Sequence, residues 1–354
     1  MGEKRGRIEF IDLAKGFCIL MVVWLHVFRA TGVSVPLNEL TAKIRMPLYF
    51  VLSGMFFKEY EGFFGFLLRK TNKLLIPFFF LYLILTTPWT IIKDLLEGQT
   101  LTAAFTDVAM GVYNEYFTNT PTWFLICLFH TSILFYVVYM IAKKCGDHKA
   151  LTIIILSLLV GAVGLFLSYN RYDQPAYIDT ALTATPLYGL GYLLNKHSDI
   201  LRKSKIDPYL PLIVPLMLIA AYMVAGDLNF ISNHYWVHPL LLYPSCALAS
   251  IAVILLAKII KRLPWVSYVG RYSVILLMFH WLVFTLVIRV LRSLHVSEGY
   301  PLAWTTFFIT CIILTLLIPL CKKYLPYVTA QKDLIKVGSQ PQGQTPQTIQ
   351  NQKT

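Results

Sequence analysis

Apolar stretches of about 20 residues, each long enough to cross a ~30 Å hydrocarbon core, recur along almost the whole chain with short polar segments between them. The pattern predicts ten helices, over 10–28, 45–57, 74–92, 121–142, 150–168, 180–194, 209–225, 238–257, 266–288 and 302–321. The second and sixth are short. The first follows Lys4, Arg5 and Arg7, as the core of a signal peptide would, but Glu9, Asp12 and Lys15 interrupt it and no small-residue cleavage site follows Phe28. It therefore reads as a retained helix, and the expected fold is all-α: a polytopic membrane helix bundle.

Composition agrees. Of 354 residues 57% are hydrophobic and only 14% charged, and the mean hydropathy is +0.62. A chain with about half the usual charged share cannot cover itself with polar surface in water. The net charge of +13 is explained by topology and needs no nucleic acid. With the N-terminus inside, 22 basic residues fall on cytoplasmic segments, among them Lys58, Arg69, Lys70, Lys73, Lys143, Lys144, Lys258 and Arg262. Seven fall outside, among them Arg29, Arg45, Arg171, Arg289 and Arg292. This bias predicts that both termini are cytoplasmic, with some added attraction to anionic lipid.

The connections leave no room for a second folded domain, so residues 1–325 form one membrane-embedded unit and 326–354 a cytoplasmic tail. From about residue 338 the tail is rich in Gln, Thr and Pro and is expected to be disordered. The six cysteines lie in predicted helices or on the inner side, where a disulfide framework is not expected. No zinc-type Cys/His spacing and no nucleotide-binding glycine loop occurs, so no metal or permanently bound cofactor is expected. The outer segments 29–44 and 93–120 are the longest. The second holds Asp94, Glu97, Asp107 and Glu115 with Tyr113, Tyr116 and Phe117, and Trp123 follows it. That mix suits sugar binding, and equally an aromatic belt at the membrane interface.

Function has to come from polar groups placed where they are expensive. A charge at mid-helix costs ~2.5–3.5 kcal/mol on insertion scales, so such residues usually face a cavity. In the first helix these are Asp12, Lys15 and His26. Lys15 and His26 are eleven residues apart, about three turns, so they share a face within ~20° and lie ~16 Å apart along the axis. Asp12 lies one position-set further round, where it could pair with Lys15. His280 reaches a depth similar to His26 by rise alone. Intramembrane Asp, Lys and His could also serve proton-coupled transport of a small polar solute, although no inverted repeat is visible.

Arg7 to His26, RIEFIDLAKGFCILMVVWLH, resembles the opening helix of the acyltransferase 3 family of bacterial membrane O-acyltransferases, which carries Arg or Lys, ten further residues and then His. Further similar stretches are MPLYFVLSG (Met46 to Gly54), RKTNKLLIPFFF (Arg69 to Phe80), TWFLICLF (Thr122 to Phe129) and VGRYSVILLMFH (Val269 to His280), in family order. The likeness is greatest to the fucose 4-O-acetylase-like subgroup. It implies a multi-pass enzyme of the bacterial cytoplasmic membrane. Such an enzyme moves an acetyl or other short acyl group from acyl-CoA, typically acetyl-CoA, to a hydroxyl of an envelope glycan or a lipid-linked precursor. His26 is the expected base, since acyl transfer to a hydroxyl needs a proton acceptor near neutral pH, with Lys15 and Asp12 beside it. Arg69, Lys70, Lys73 and Arg271 are expected to hold the donor phosphates, and Tyr113, Tyr116, Trp123 and His280 to meet the acceptor. Ser53 lacks a nucleophile-elbow setting and is read as a packing residue.

Overall fold

The computed structural model describes residues 8–115, 120–197, 200 and 204–336. Twelve helices follow in order: α1 (Glu9–Ala30), α2 (Asn38–Met55), α3 (Phe63–Leu96), α4 (Leu101–Met110), α5 (Trp123–Lys143), α6 (Lys149–Asn170), α7 (Ile178–His197), α8 (Leu210–Met223), α9 (Pro239–Ile260), α10 (Pro264–Arg271), α11 (Ser273–Ser293) and α12 (Tyr300–Tyr324). A two-residue antiparallel pair, β1 (Leu228–Asn229) with β2 (His234–Tyr235), closes the turn between α8 and α9. Among the described residues seven helical spans are long and apolar enough to cross a membrane. The chain is a multi-pass helical membrane protein.

Those seven contain α1, α3, α5, α6, α9, α11 and α12. The others fall short for visible reasons. Helix α2 carries Glu39, Lys43 and Arg45, α7 carries Asp179, three threonines and Pro186, and α8 has 14 residues. Two expected bounds need correction. Helix α2 starts at Asn38 instead of 45, so Lys43 and Arg45 belong to a buried helix rather than an outer loop. Helix α3 starts at Phe63 instead of 74 and ends at Leu96. The expected outer loop 93–120 is in part helix, holding the end of α3 and all of α4.

Helix α3 is bent to the π form at Thr71–Leu75 and Tyr82–Thr86. Each wide turn stands just before a proline, Pro77 or Pro88. A proline has no N–H for the carbonyl four residues back and its ring crowds that carbonyl, so a local widening lets the helix run on. The predicted helix 266–288 is broken at Tyr272, whose φ of −111° and ψ of 27° leave the helical region and separate α10 from α11.

Helices α1 and α2 occupy the middle, with α7, α9, α10 and α11 packed on them. Two backbone-to-backbone crossings set this arrangement. A Cβ on Gly16 would strike the Val266 carbonyl, and one on Gly270 the Asp12 carbonyl and Gly16 N, so α1 and α10 touch through glycine. Gly54 and Gly191 do the same for α2 and α7, against Tyr188 O and Val51 O. Small residues are how helices approach closely where lipid offers no hydrophobic drive. Helix α6 instead turns Leu151, Ile154, Leu158 and Phe166 outward, as a lipid-facing helix does.

Candidate active site

The face of α1 that carries Lys15 opens into a cavity of about 480 Å³. Lys15, Arg69, Lys70, Lys73 and Arg271, from three separate segments of sequence, all line it. Each has a local partner. Lys15 Nζ stands 5.5 Å over the Phe56 ring. Arg69 lies 4.5 Å over Tyr60 and 3.9 Å from Glu61. Lys70 donates to the Tyr188 hydroxyl at 3.2 Å. Arg271 meets the buried Asp12 carboxylate at 3.6 Å, brought there by the glycine crossing of α1 and α10. The buried Asp12 carboxylate thus holds a cation from a distant part of the sequence, carried on α10.

The C-terminal segment folds under this cavity. Asn72 clamps it with a two-way bond, donating to Ile335 O at 2.9 Å and accepting from Ile335 N at 2.8 Å. Lys73 pairs with Asp333 at 2.8 Å and donates to Ala330 O at 2.9 Å. Asp333 and Gln331 therefore become cavity walls. The tail beyond residue 336, expected to be disordered, lies outside the described residues.

Deeper in, Tyr49, Ser53, Ser273 and Leu277 line the same cavity. Leu277 precedes His280 by one turn, ~4.5 Å of rise. There the ring of His280 faces that of His26, with centroids 5.3 Å apart, and Trp281 packs edge-on against His26 at 5.5 Å. His280 is fully buried, and its Nδ1 lies 2.9 Å from Leu276 O and 3.0 Å from Leu277 O. Two carbonyls can only accept, so Nδ1 carries the proton and Nε2 is left as an acceptor. Nε2 has no partner among the described residues. His26 is half-buried, and no hydrogen bond to its ring is found among the described residues. Arg45 stands close enough to act on it electrostatically. Sequence reasoning missed Arg45 and Trp281. The available signal for Arg45 was a cation two residues before Pro47, with Lys43 just upstream, at the start of an otherwise apolar run.

A second cavity, of about 510 Å³, lies among residues 113–115, Thr120, 173–179 and 231–234. Tyr113, Glu115, Asp173, Tyr177, Asp179 and His234 line it, and among the described residues no Lys or Arg does. Burial, opposed by the Tyr177 N–H at 2.8 Å and reinforced by Asp179 and Asp173, pushes the Glu115 carboxyl up to about 7. Trp123 is buried behind this cavity, 5.4 Å from Tyr177, and is not part of its wall. Tyr116 lies outside the described residues.

A protein-family model described as an acyltransferase domain matches residues 8–321. The chain belongs to the acyltransferase 3 family. No curated protein and no solved structure matches it. A membrane acyltransferase needs a place for an activated donor and a proton acceptor beside it. In this acyltransferase Leu277 of the five-cation cavity stands one helical turn before His280 of the histidine pair.

Proposed function

We propose that this acyltransferase is an O-acetyltransferase of the fucose 4-O-acetylase-like subgroup, taking acetyl from acetyl-CoA on the cytoplasmic side. The acceptor is a hydroxyl of an envelope glycan or a lipid-linked precursor. The observation that carries the reading is the shared wall: Lys15, Arg69, Lys70, Lys73 and Arg271 line one cavity together with Leu277, one helical turn before His280, whose ring meets His26. Phosphates suit the cationic mouth. The ~16 Å from Lys15 to His26 is then covered by the extended pantetheine arm, with the thioester at its tip.

In the transfer His26 takes the acceptor hydroxyl proton as the oxygen adds to the acyl carbonyl. Collapse expels the CoA thiolate, which recovers that proton. His280, with its proton on Nδ1, offers Nε2 to orient the acceptor hydroxyl or the His26 ring. The cation-free second cavity, with Tyr113 and Tyr177 as stacking surfaces and carboxylates as hydroxyl acceptors, suits entry of a sugar from the opposite end. We read ten crossings, with α2, α7 and α8 completing the seven apolar spans and both termini in the cytoplasm of a bacterial cell. The basic residues of the connections support that orientation; Lys43 and Arg45, which lie in α2, no longer count toward it.

Sealed vesicles test the donor side. Inside-out vesicles should consume labelled acetyl-CoA from the bath without permeabilisation. Consumption by right-side-out vesicles alone would refute the assignment. Mass spectrometry of envelope glycans from a deletion strain should show one acetyl substituent missing, which names the acceptor.

A further inference from the structure

Arg45 is a buried cation, 5% exposed, near the middle of a helix in the heart of the bundle. Its guanidinium is held by neutral groups: Nη1 donates to Thr41 Oγ1 at 2.5 Å and Nη2 to Asn38 Oδ1 at 3.2 Å. Asn38 Nδ2 donates in turn to Asp227 Oδ2 at 3.0 Å. Among the described residues no carboxylate lies within ion-pair distance of Arg45 itself. Such a charge is costly to bury, and a cation kept away from its counter-ion is a cation reserved for something else.

Its position says for what. The Cys18 thiol donates to the Arg45 carbonyl at 2.6 Å, which fixes the height of α2 against α1. From there the Arg45 side chain runs back one turn to Thr41, towards the level of His26 on the neighbouring helix. Along α1 His26 lies ~12 Å beyond Cys18, and by reaching Thr41 the Arg45 guanidinium covers about half of that height. Arg29 is exposed near the end of α1, so Arg45 is the buried charge at the pair.

We propose that Arg45 is a catalytic residue of the transfer step, its guanidinium donating to the oxyanion that forms beside His26. When the acceptor oxygen adds to the thioester carbonyl, the C–O bond forms, the hydroxyl proton moves to His26 and the carbonyl π pair becomes an alkoxide. That charge develops where water is excluded, and a fixed donor there is worth far more than in water. Collapse restores the C=O, breaks the C–S bond and returns the proton from His26 to the leaving thiolate. Only two of five guanidinium N–H groups are committed to Thr41 and Asn38, which leaves donors for the oxyanion.

The inference rests on His26 being the base, and the experiment separates the two. Purified protein in nanodiscs is assayed for thiol release from labelled acetyl-CoA with membrane-extracted acceptor, and separately for binding of labelled CoA. Arg45→Gln should slow turnover roughly 10²–10³-fold, with CoA binding and melting temperature near the parent. Arg45→Lys should recover at least a tenth of the parent rate. Turnover of Arg45→Gln within about threefold of the parent, or a CoA-binding loss as large as the rate loss, would overturn the proposal. If Arg45→Gln does not purify, Thr41→Val, which releases the guanidinium without removing it, should slow turnover roughly tenfold; an unchanged rate would overturn it equally. An active His26→Gln control would refute the base assignment instead, whatever Arg45→Gln does.

Discussion

Gly270→Ala tests how the cationic cavity proposed to take the donor is assembled. The added methyl would strike the Asp12 carbonyl and Gly16 N, backbone atoms that no rotamer change can move. An ordinary contact begins near 3.4 Å, so α1 and α10 must part by on the order of 1 Å, within the range where overpacking costs ~1–3 kcal/mol. Both obstacles are backbone, which puts the cost near the top of that range, while the gain in helix propensity returns ~1 kcal/mol. The net loss of ~2 kcal/mol should lower the melting temperature by about 4 °C. The same opening carries Arg271 Nε, now 3.6 Å from Asp12 Oδ2, past the ~4 Å limit of an ion pair. Loss of one charge-assisted contact to the donor is worth ~1.5–3 kcal/mol, so CoA affinity should fall roughly tenfold or more. Thermal unfolding in detergent and equilibrium binding of labelled CoA measure both. Melting at or above the parent with unchanged CoA binding would refute the view that this crossing positions Arg271.

Asp333→Asn frees Lys73 from a half-exposed pair worth ~0–1 kcal/mol, so CoA binding should tighten up to about fivefold, more at low salt than at high; labelled-CoA titrations at two ionic strengths check this. Glu115 is held as an acid up to about 7, so the folded state binds its proton more tightly than the unfolded chain does. Its contribution to stability is therefore greatest below pH ~4.5 and lost as pH rises towards 7. Glu115→Gln should remove that fall, seen as a flatter melting temperature from pH 4.5 to 8. Lys15→Arg should keep much of the activity because a cation still faces the cavity, whereas Lys15→Ala should raise the acetyl-CoA requirement; steady-state kinetics distinguish them.

Spans facing lipid were legible almost to the residue. The stretches 150–168, 209–225 and 302–321 come out as Lys149–Asn170, Leu210–Met223 and Tyr300–Tyr324, because hydropathy reports contact with hydrocarbon. Where a helix faces protein the signal fades. Lys43 is fully buried with its ammonium on Val224 O at 2.7 Å, and Arg45 is buried on Thr41, so α2 looked like a loop as far as residue 44. The break at Tyr272 was hidden because both sides of it are apolar. Rise along the helices put His26 and His280 at one depth, and their rings do meet. Rise alone says nothing of a third helix, which is why Arg45 and the Asp12–Arg271 pair emerged only from packing. Trp123 carried the composition of a sugar platform, yet packs beneath Tyr177.

The most direct test of the account is acetyl transfer from labelled acetyl-CoA by purified parent and His26→Gln protein in nanodiscs, with labelled-CoA binding measured on the same preparations. The amide can hydrogen-bond but cannot accept the hydroxyl proton. The account predicts that His26→Gln binds CoA like the parent and transfers at least ~10²-fold more slowly. Transfer at a rate comparable to the parent would contradict it.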